Sequence, residues 1–284
     1  WNEYLAIAKK FHGKDLNGDS QPDYGSCINA IDRPAQSKFA AEYFWSIASS
    51  FLQTQGTAQG VFFDPETMKP LFNNQAFTKT LEIAKQARDY GYPRSSSATA
   101  NQLFIAGRCA LAIEWGDIGT LAINPATSKV IDKVGATITP GTTQVLDRQT
   151  GKLVACDQFL CPYSIQGVNH APYAASGGWA GFVHAKSKMQ VKDAAYAFLS
   201  FMSQPAQANV DVTNGATGFN PYRLSQFKNQ EAWIKAGMSP EAASRYLGGI
   251  SVTLNSPNMV LDLRIPQNYR YQTEVLGAVI TDFL

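Results

Sequence analysis

Apolar residues at helical spacing open the chain. Trp1, Tyr4, Leu5, Ala8 and Phe11 share one face and predict a helix over 1–11, with Gly13 where a C-terminal cap belongs. Residues 24–28 read as a short strand, and 39–52 as an aromatic-rich helix. Gly56, Gly60, Pro65 and Pro70 break the pattern over 53–74. Phe77, Leu81, Ala84 and Ala87 then mark an amphipathic helix over 77–90, stopped by Gly91 and Pro93. A short helix over 101–107 leads into alternation, with Cys109, Leu111, Ile113 and Trp115 on one strand face. A further strand is expected over 134–139 and a buried strand over 178–185. Residues 140–177 between them are the least regular stretch, rich in Gly, Pro, Thr and Ser. Helices are expected over 191–202, 231–247 and 267–284, with a glycine-rich loop over 214–221. Strands alternating with helices indicate an α/β layer structure, and no internal repeat is visible.

Composition narrows the class. Charged residues make up 16% of the 284 positions and hydrophobic ones 45%, the profile of a folded chain with a real core. The net charge of +2 and the lack of a basic arm argue against a nucleic-acid binder. No apolar run is long enough to cross a bilayer, so no direct membrane insertion is expected from this segment, and no signal-peptide pattern opens it. The chain begins and ends inside predicted helices, which points to a piece of a longer protein.

The sharpest local pattern is acidic. Asp15, Asn17, Asp19, Gln21 and Asp23 occupy positions 1, 3, 5, 7 and 9 of a loop, with Gln21 able to offer its backbone carbonyl. Alternate oxygen donors converging on one point are what Ca²⁺ requires, so a structural calcium ion is expected. The pattern resembles thrombospondin-type and dockerin loops and lacks the bidentate Glu of an EF-hand, Ser26 standing at position 12. A solvated turn rich in Asx residues is the alternative.

Four cysteines are compatible with an oxidising compartment. Cys156 and Cys161 are expected to close a short ring, worth about 2 kcal/mol on the chain-entropy model. Cys27 and Cys109, on two predicted strands, would close a long loop worth about 4 kcal/mol. Free buried thiols are the alternative for both pairs. No acyl-enzyme, zinc-protease, P-loop or dinucleotide motif occurs, and His12, His170 and His184 are scattered.

Four segments, in order, carry a family resemblance. The run Trp1-Asn2-Glu3-Tyr4-Leu5-Ala6-Ile7-Ala8-Lys9-Lys10 comes first. The second is Phe104-Ile105-Ala106-Gly107-Arg108-Cys109-Ala110-Leu111-Ala112-Ile113-Glu114-Trp115-Gly116. The third is Gly177-Gly178-Trp179-Ala180-Gly181-Phe182-Val183 with the helix ending before Gln204-Pro205. The last is Gly215-Ala216-Thr217-Gly218-Phe219-Asn220-Pro221-Tyr222-Arg223, and Ile265-Pro266 extends the match. Together they resemble the extracellular (periplasmic) solute-binding proteins of ABC importers, the maltose-binding-like group.

That resemblance implies a periplasmic-binding-protein-like α/β fold of type II, with most of the first lobe missing. Residues 1–182 would form the second lobe, 183–220 would cross to the first lobe, and 221–284 would return to the second lobe. It also implies ligand contacts at Trp115, at Trp179 after Gly178, and at Tyr269 and Tyr271, where the family supplies stacking rings. Asp117, Asp32 and Arg33 stand at expected strand ends, where open α/β sheets bind ligands. Core packing is the plainer role for each, and Phe44 and Trp45 are expected in the core.

The implied function is non-catalytic capture of a small polar solute, sugar-like by default, in an interlobe cleft. A membrane permease or downstream receptor domains would read the closed state, outside the cell or in the periplasm. The pattern from Val145 to Pro162 also resembles ectodomains of green-algal receptors fused to nucleotide cyclases, which would make the chain a ligand sensor. A carbohydrate-active enzyme and a calcium-stabilised adhesion module are the remaining alternatives.

Overall fold

The first helix, α1, spans Asn2–Phe11, with Glu3 in its first turn and Lys9 and Lys10 in its last, matching the helix dipole. The chain is described by a computed structural model over residues 1–28, 37–93, 97–175 and 178–284. Helix α1 lies directly on β1 (Tyr24–Cys27): a Cβ on Gly25 would stand 1.8 Å from the Ala8 carbonyl oxygen, so only glycine permits this approach. The Tyr4 and Ser26 hydroxyls, 2.6 Å apart, close the same contact in the interior.

Helix α2 (Ser37–Leu52) carries Phe44, Trp45, Ile47, Ala48 and Phe51 into the main core, as the aromatic run predicts. Helix α3 (Gln75–Asp89) starts at Asn74, whose Oδ1 accepts from the Phe77 amide, and packs Ile83, Ala84 and Ala87 into the same core. Next come α4 (Ser97–Ile105), β2 (Cys109–Ala112) and the single turn α5 (Ile118–Leu121). Strands β1 and β2 pair in parallel, Ser26 opposite Leu111, and the Cys27–Cys109 disulfide joins them.

The irregular stretch is more ordered than its composition predicts. It holds the hairpin β3 (Gln144–Asp147) and β4 (Lys152–Ala155), and β5 (Tyr173–Ala174), which pairs in parallel with β6 (Val260–Leu261). Buried carbonyls at the end of α2 are satisfied by side chains from this stretch and from Asn258. Asn169 Nδ2 donates to the Ser50 and Gln53 carbonyls at 2.7 and 2.8 Å, and Asn258 Nδ2 donates to the Gln53 carbonyl at 2.8 Å. The Arg148 guanidinium reaches the carbonyls of Leu52, Gln59 and Gly60, tying the hairpin to the end of α2.

Three expectations are corrected. Residues 134–139 form no strand. Residues 178–185 are neither strand nor buried: Trp179 is 79% and Phe182 88% exposed. The apolar run carried the strand prediction, but nothing among the described residues covers it. The helix expected over 231–247 is two, α9 (Glu231–Lys235) and α10 (Pro240–Leu254). Gly237, at φ +116°, turns the chain between them, and Ser239 caps the second by accepting from the Ala242 amide.

Helix α6 (Met189–Met202) buries no residue, whereas α7 (Pro205–Thr213), α9 and α10 build a second core around Val212, Trp233, Ala243 and Tyr246. A short α8 (Leu224–Lys228) joins them. The last helix begins as a π-helix over Arg270–Gly277 and continues as α11 (Ala278–Phe283), lying against α2. No helix among the described residues is long and apolar enough to cross a membrane.

Candidate functional site

The two tryptophan segments meet one loop. After β2 the chain runs through Trp115, half-buried, and Gly116 to Asp117, which precedes α5. A Cβ on Gly116 would stand 2.7 Å from Asn220 Oδ1 and 3.1 Å from Ile250 Cδ1, so glycine lets the loop close on this strand end. The neighbouring Phe219 takes the Trp179 ring edge-on, with centroids 6.2 Å apart. The loop is rigid for local reasons. Asn214 Oδ1 accepts from the Ala216 amide, Thr217 Oγ1 donates to the Asp211 carbonyl at 2.7 Å, and Gly218 takes a left-handed conformation. Trp179 is held out in the open by Gly178, at φ +101°, where any side chain would be strained.

Burial raises the Asp117 carboxyl above the ordinary aspartate pKa, partly offset by the Ile118 amide. Behind it the Tyr246 ring packs against Gly119, where a Cβ would come within 2.4 Å of the ring. Asn220 Oδ1 is buried without a donor. Nothing in the sequence marks Phe219, Asn220 or Tyr246 individually as site residues. A glycine-rich loop announces flexibility in sequence, not which strand end it will touch.

Tyr269 is 65% exposed. Tyr271 is turned the other way, packing against Phe63 and Phe72 with centroids 5.8 and 5.5 Å apart, and burial pushes its phenol pKa up. The π-helix brings Tyr271 to this cluster and the adjacent Gln272 to Asp262. Tyr173 Oη and Gln272 Nε2 donate to Asp262 Oδ1 at 2.6 and 2.7 Å. Asp32 and Arg33 lie outside the described residues.

The acidic loop brings carboxylate oxygens of Asp15, Asp19 and Asp23 within 4.8 Å of one another. Backbone amides already serve much of this charge. Asp15 accepts from Gly18 at 2.7 Å and Ser20 at 2.8 Å, which lowers its pKa, and Asn17 Oδ1 accepts from Asp19 at 3.1 Å. The Asp19 side chain accepts from the Gln21 amide at 2.9 Å. Asp23 is buried and accepts from Arg108 Nε at 2.8 Å. Asp15 and Asp19 remain exposed to a cation. Ser26, at position 12, is buried in β1 on Tyr4, so a full EF-hand cage cannot form. The second disulfide, Cys156–Cys161, closes a loop that Gln55 Nε2 pins through the Phe159 and Leu160 carbonyls.

No curated protein sequence matches the chain at a significant level. Two solved structures share its fold. One is an ABC transporter solute-binding protein of Agrobacterium radiobacter K84 in complex with ribitol, at TM-score 0.66 and 19% identity. The other is an ABC transporter solute-binding protein of Agrobacterium vitis S4 with bound D-mannitol, at TM-score 0.61 and 18% identity. Each similarity covers 99% of this chain, but the chain spans only 58% and 59% of those neighbours. The family model for bacterial extracellular solute-binding proteins matches residues 1–238, which include β1, β2, Trp115, Trp179 and the loop at Asn220. By that match the chain belongs to the bacterial extracellular solute-binding proteins.

Proposed function

We propose that this chain forms one wall of a cleft that captures a small, neutral, polyhydroxylated solute for an ABC importer, without chemical conversion. The observation that carries the reading is the convergence of Trp115–Gly116 and Trp179 on the single loop at Phe219 and Asn220. Aromatic faces stack on the carbon skeleton of a polyol, and carboxylate and amide oxygens accept from its hydroxyls. The ribitol and D-mannitol held by the two structural neighbours support that solute class.

Residues 183–220 cross to a first lobe whose surface covers α6; its unburied face, with Phe198 and Phe201 outward, supports this. Ligand binding then selects the closed arrangement of the two lobes, which a membrane permease reads. The site of action is extracellular or periplasmic. A calcium ion on Asp15, Asn17, Asp19, Gln21 and Asp23 is a structural part of this reading, binding the side chains and the Gln21 carbonyl and neutralising the loop.

Titration calorimetry of the intact protein with ribitol and D-mannitol tests the function. Saturable binding of at least one is expected, weakened about tenfold or more by Trp115→Ala or Trp179→Ala. No heat with either polyol would sink the solute class, and unchanged affinity in both variants would sink the wall.

A further inference from the structure

The dipeptide Asn-Gly occurs twice, at Asn17–Gly18 in the acidic loop and at Asn214–Gly215 in the loop before Phe219. In such a pair the glycine nitrogen can attack the preceding side-chain amide. Nucleophile and electrophile are held together covalently, and no Cβ obstructs the backbone turn that brings them into contact. The two copies differ in what surrounds the reacting atoms.

At Asn17 the nucleophile faces a carboxylate. The Gly18 amide donates to Asp15 Oδ1 at 2.7 Å, which places a base on the proton that must leave. Gly18 stands at φ +83°, and nothing lies within 4 Å of the place its Cβ would occupy, so the backbone has room to turn. The electrophile is held as well. Asn17 Oδ1 accepts from the Asp19 amide at 3.1 Å, a donor shared with Asp15 Oδ1 at 3.2 Å, and that donor serves the charge that develops on the attacked carbonyl. Asn17 Nδ2 donates to Asp19 Oδ2 at 3.3 Å and to the Ala106 carbonyl at 3.1 Å. Asn214 lacks the base. Its Oδ1 accepts from the Ala216 amide at 3.1 Å, but no described carboxylate accepts from the Gly215 amide. Gly215 is also packed, since a Cβ there would stand 2.8 Å from the Leu121 backbone nitrogen.

We infer that Asn17–Gly18 is a self-modifying site, at which the folded loop converts Asn17 to aspartate or isoaspartate. Asp15 takes the Gly18 amide proton as the Gly18 nitrogen bonds to Asn17 Cγ. The Cγ–Nδ2 bond then breaks, and the proton leaves with that nitrogen as ammonia. Water opens the resulting succinimide at either carbonyl, so no other reactant is needed. Both products lose the donor to the Ala106 carbonyl, which lies between α4 and β2, and both add a carboxylate beside Asp15 and Asp19. The isoaspartate form also inserts a methylene into the backbone of the loop.

Peptide mapping by mass spectrometry tests the inference. The amide-to-acid change is followed at Asn17 and Asn214, in the folded chain and in urea, at mildly alkaline pH with a chelator present. In the folded chain Asn17 is expected to convert about tenfold faster than Asn214, and in urea the two rates should converge. Asp15→Asn, with folding checked by circular dichroism, is expected to slow conversion of Asn17 about tenfold and to leave Asn214 unchanged. Equal rates at the two sites in the folded chain overturn the inference, as does faster conversion of Asn17 in urea than in the fold. An unchanged Asn17 rate in Asp15→Asn removes the base. If that variant does not fold, the folded and denatured parent chains still decide the question between them.

Discussion

Gly25 and Asp117 illustrate opposite demands on single positions. At Gly25 the demand is steric: backbone meets backbone, and no rotamer change relieves the contact between a new Cβ and the Ala8 carbonyl. Gly25→Ala is therefore expected to destabilise the fold by about 3 kcal/mol in urea denaturation, with no change in the slope. At Asp117 the demand is electrostatic. Burial raises its folded-state pKa above the ordinary 3.8, so the unfolded chain releases the proton first as pH rises. Stability attributable to this residue is present below the ordinary value and is lost as pH climbs through the raised one. Asp117→Asn should accordingly show a higher Tm than the parent at about pH 7 and little difference at about pH 3, while weakening polyol binding. An equal shift at both pH values would exclude the burial account. Sequence reading nominates Asp117 from its place after a strand. The orphaned Asn220 oxygen and the Tyr246 ring behind Gly119 depend on contacts more than 100 positions apart, and no local pattern encodes them.

The elements divide by where their specification lies. Helices α1, α2 and α3 carry their own periodicity, α3 with its Asn74 cap, and each forms within a few residues of its expected limits. The acidic loop is also local: left-handed Gly18 and Ser20 and the Asx turns of Asp15 and Asn17 follow from residue type. Those turns satisfy part of the negative charge, so the loop folds around backbone amides and a cation adds to an existing frame. Calcium is expected to raise Tm, and Asp19→Ala to abolish the rise while leaving the calcium-free Tm nearly unchanged. No response to calcium or to a chelator would remove the metal. The strand expected over 178–185 is different in kind. Its apolar run has the composition of a buried strand, yet burial needs a neighbour, and the described residues supply none.

At the scale of the molecule, the exposed apolar face of α6 is the surface that a first lobe would cover on the solute-capture reading proposed above. Helix α6 has Tyr196, Phe198 and Phe201 outward, with Phe198 62% exposed. In the protein with its first lobe, Phe198→Ser should cost about 3 kcal/mol, since a buried aromatic ring is lost. In residues 1–284 alone the same change should stay within about 0.5 kcal/mol. Equal costs in the two contexts, measured by denaturant titration, would mean that α6 is not a lobe contact.

Residue order alone determined the alternating α/β layout, the helices whose apolar faces repeat on one side, the acidic turn, and the family motifs around Trp115, Trp179 and Asn220. These depend on spacing within a few residues, where covalent geometry and side-chain type suffice. Only the tertiary structure decided that Gly116 and Trp179 meet the same loop, that Tyr271 turns into the aromatic cluster, and that Tyr173 and Gln272 both donate to Asp262. The physical reason is that each is a contact between distant segments, set by which surfaces the chain buries together.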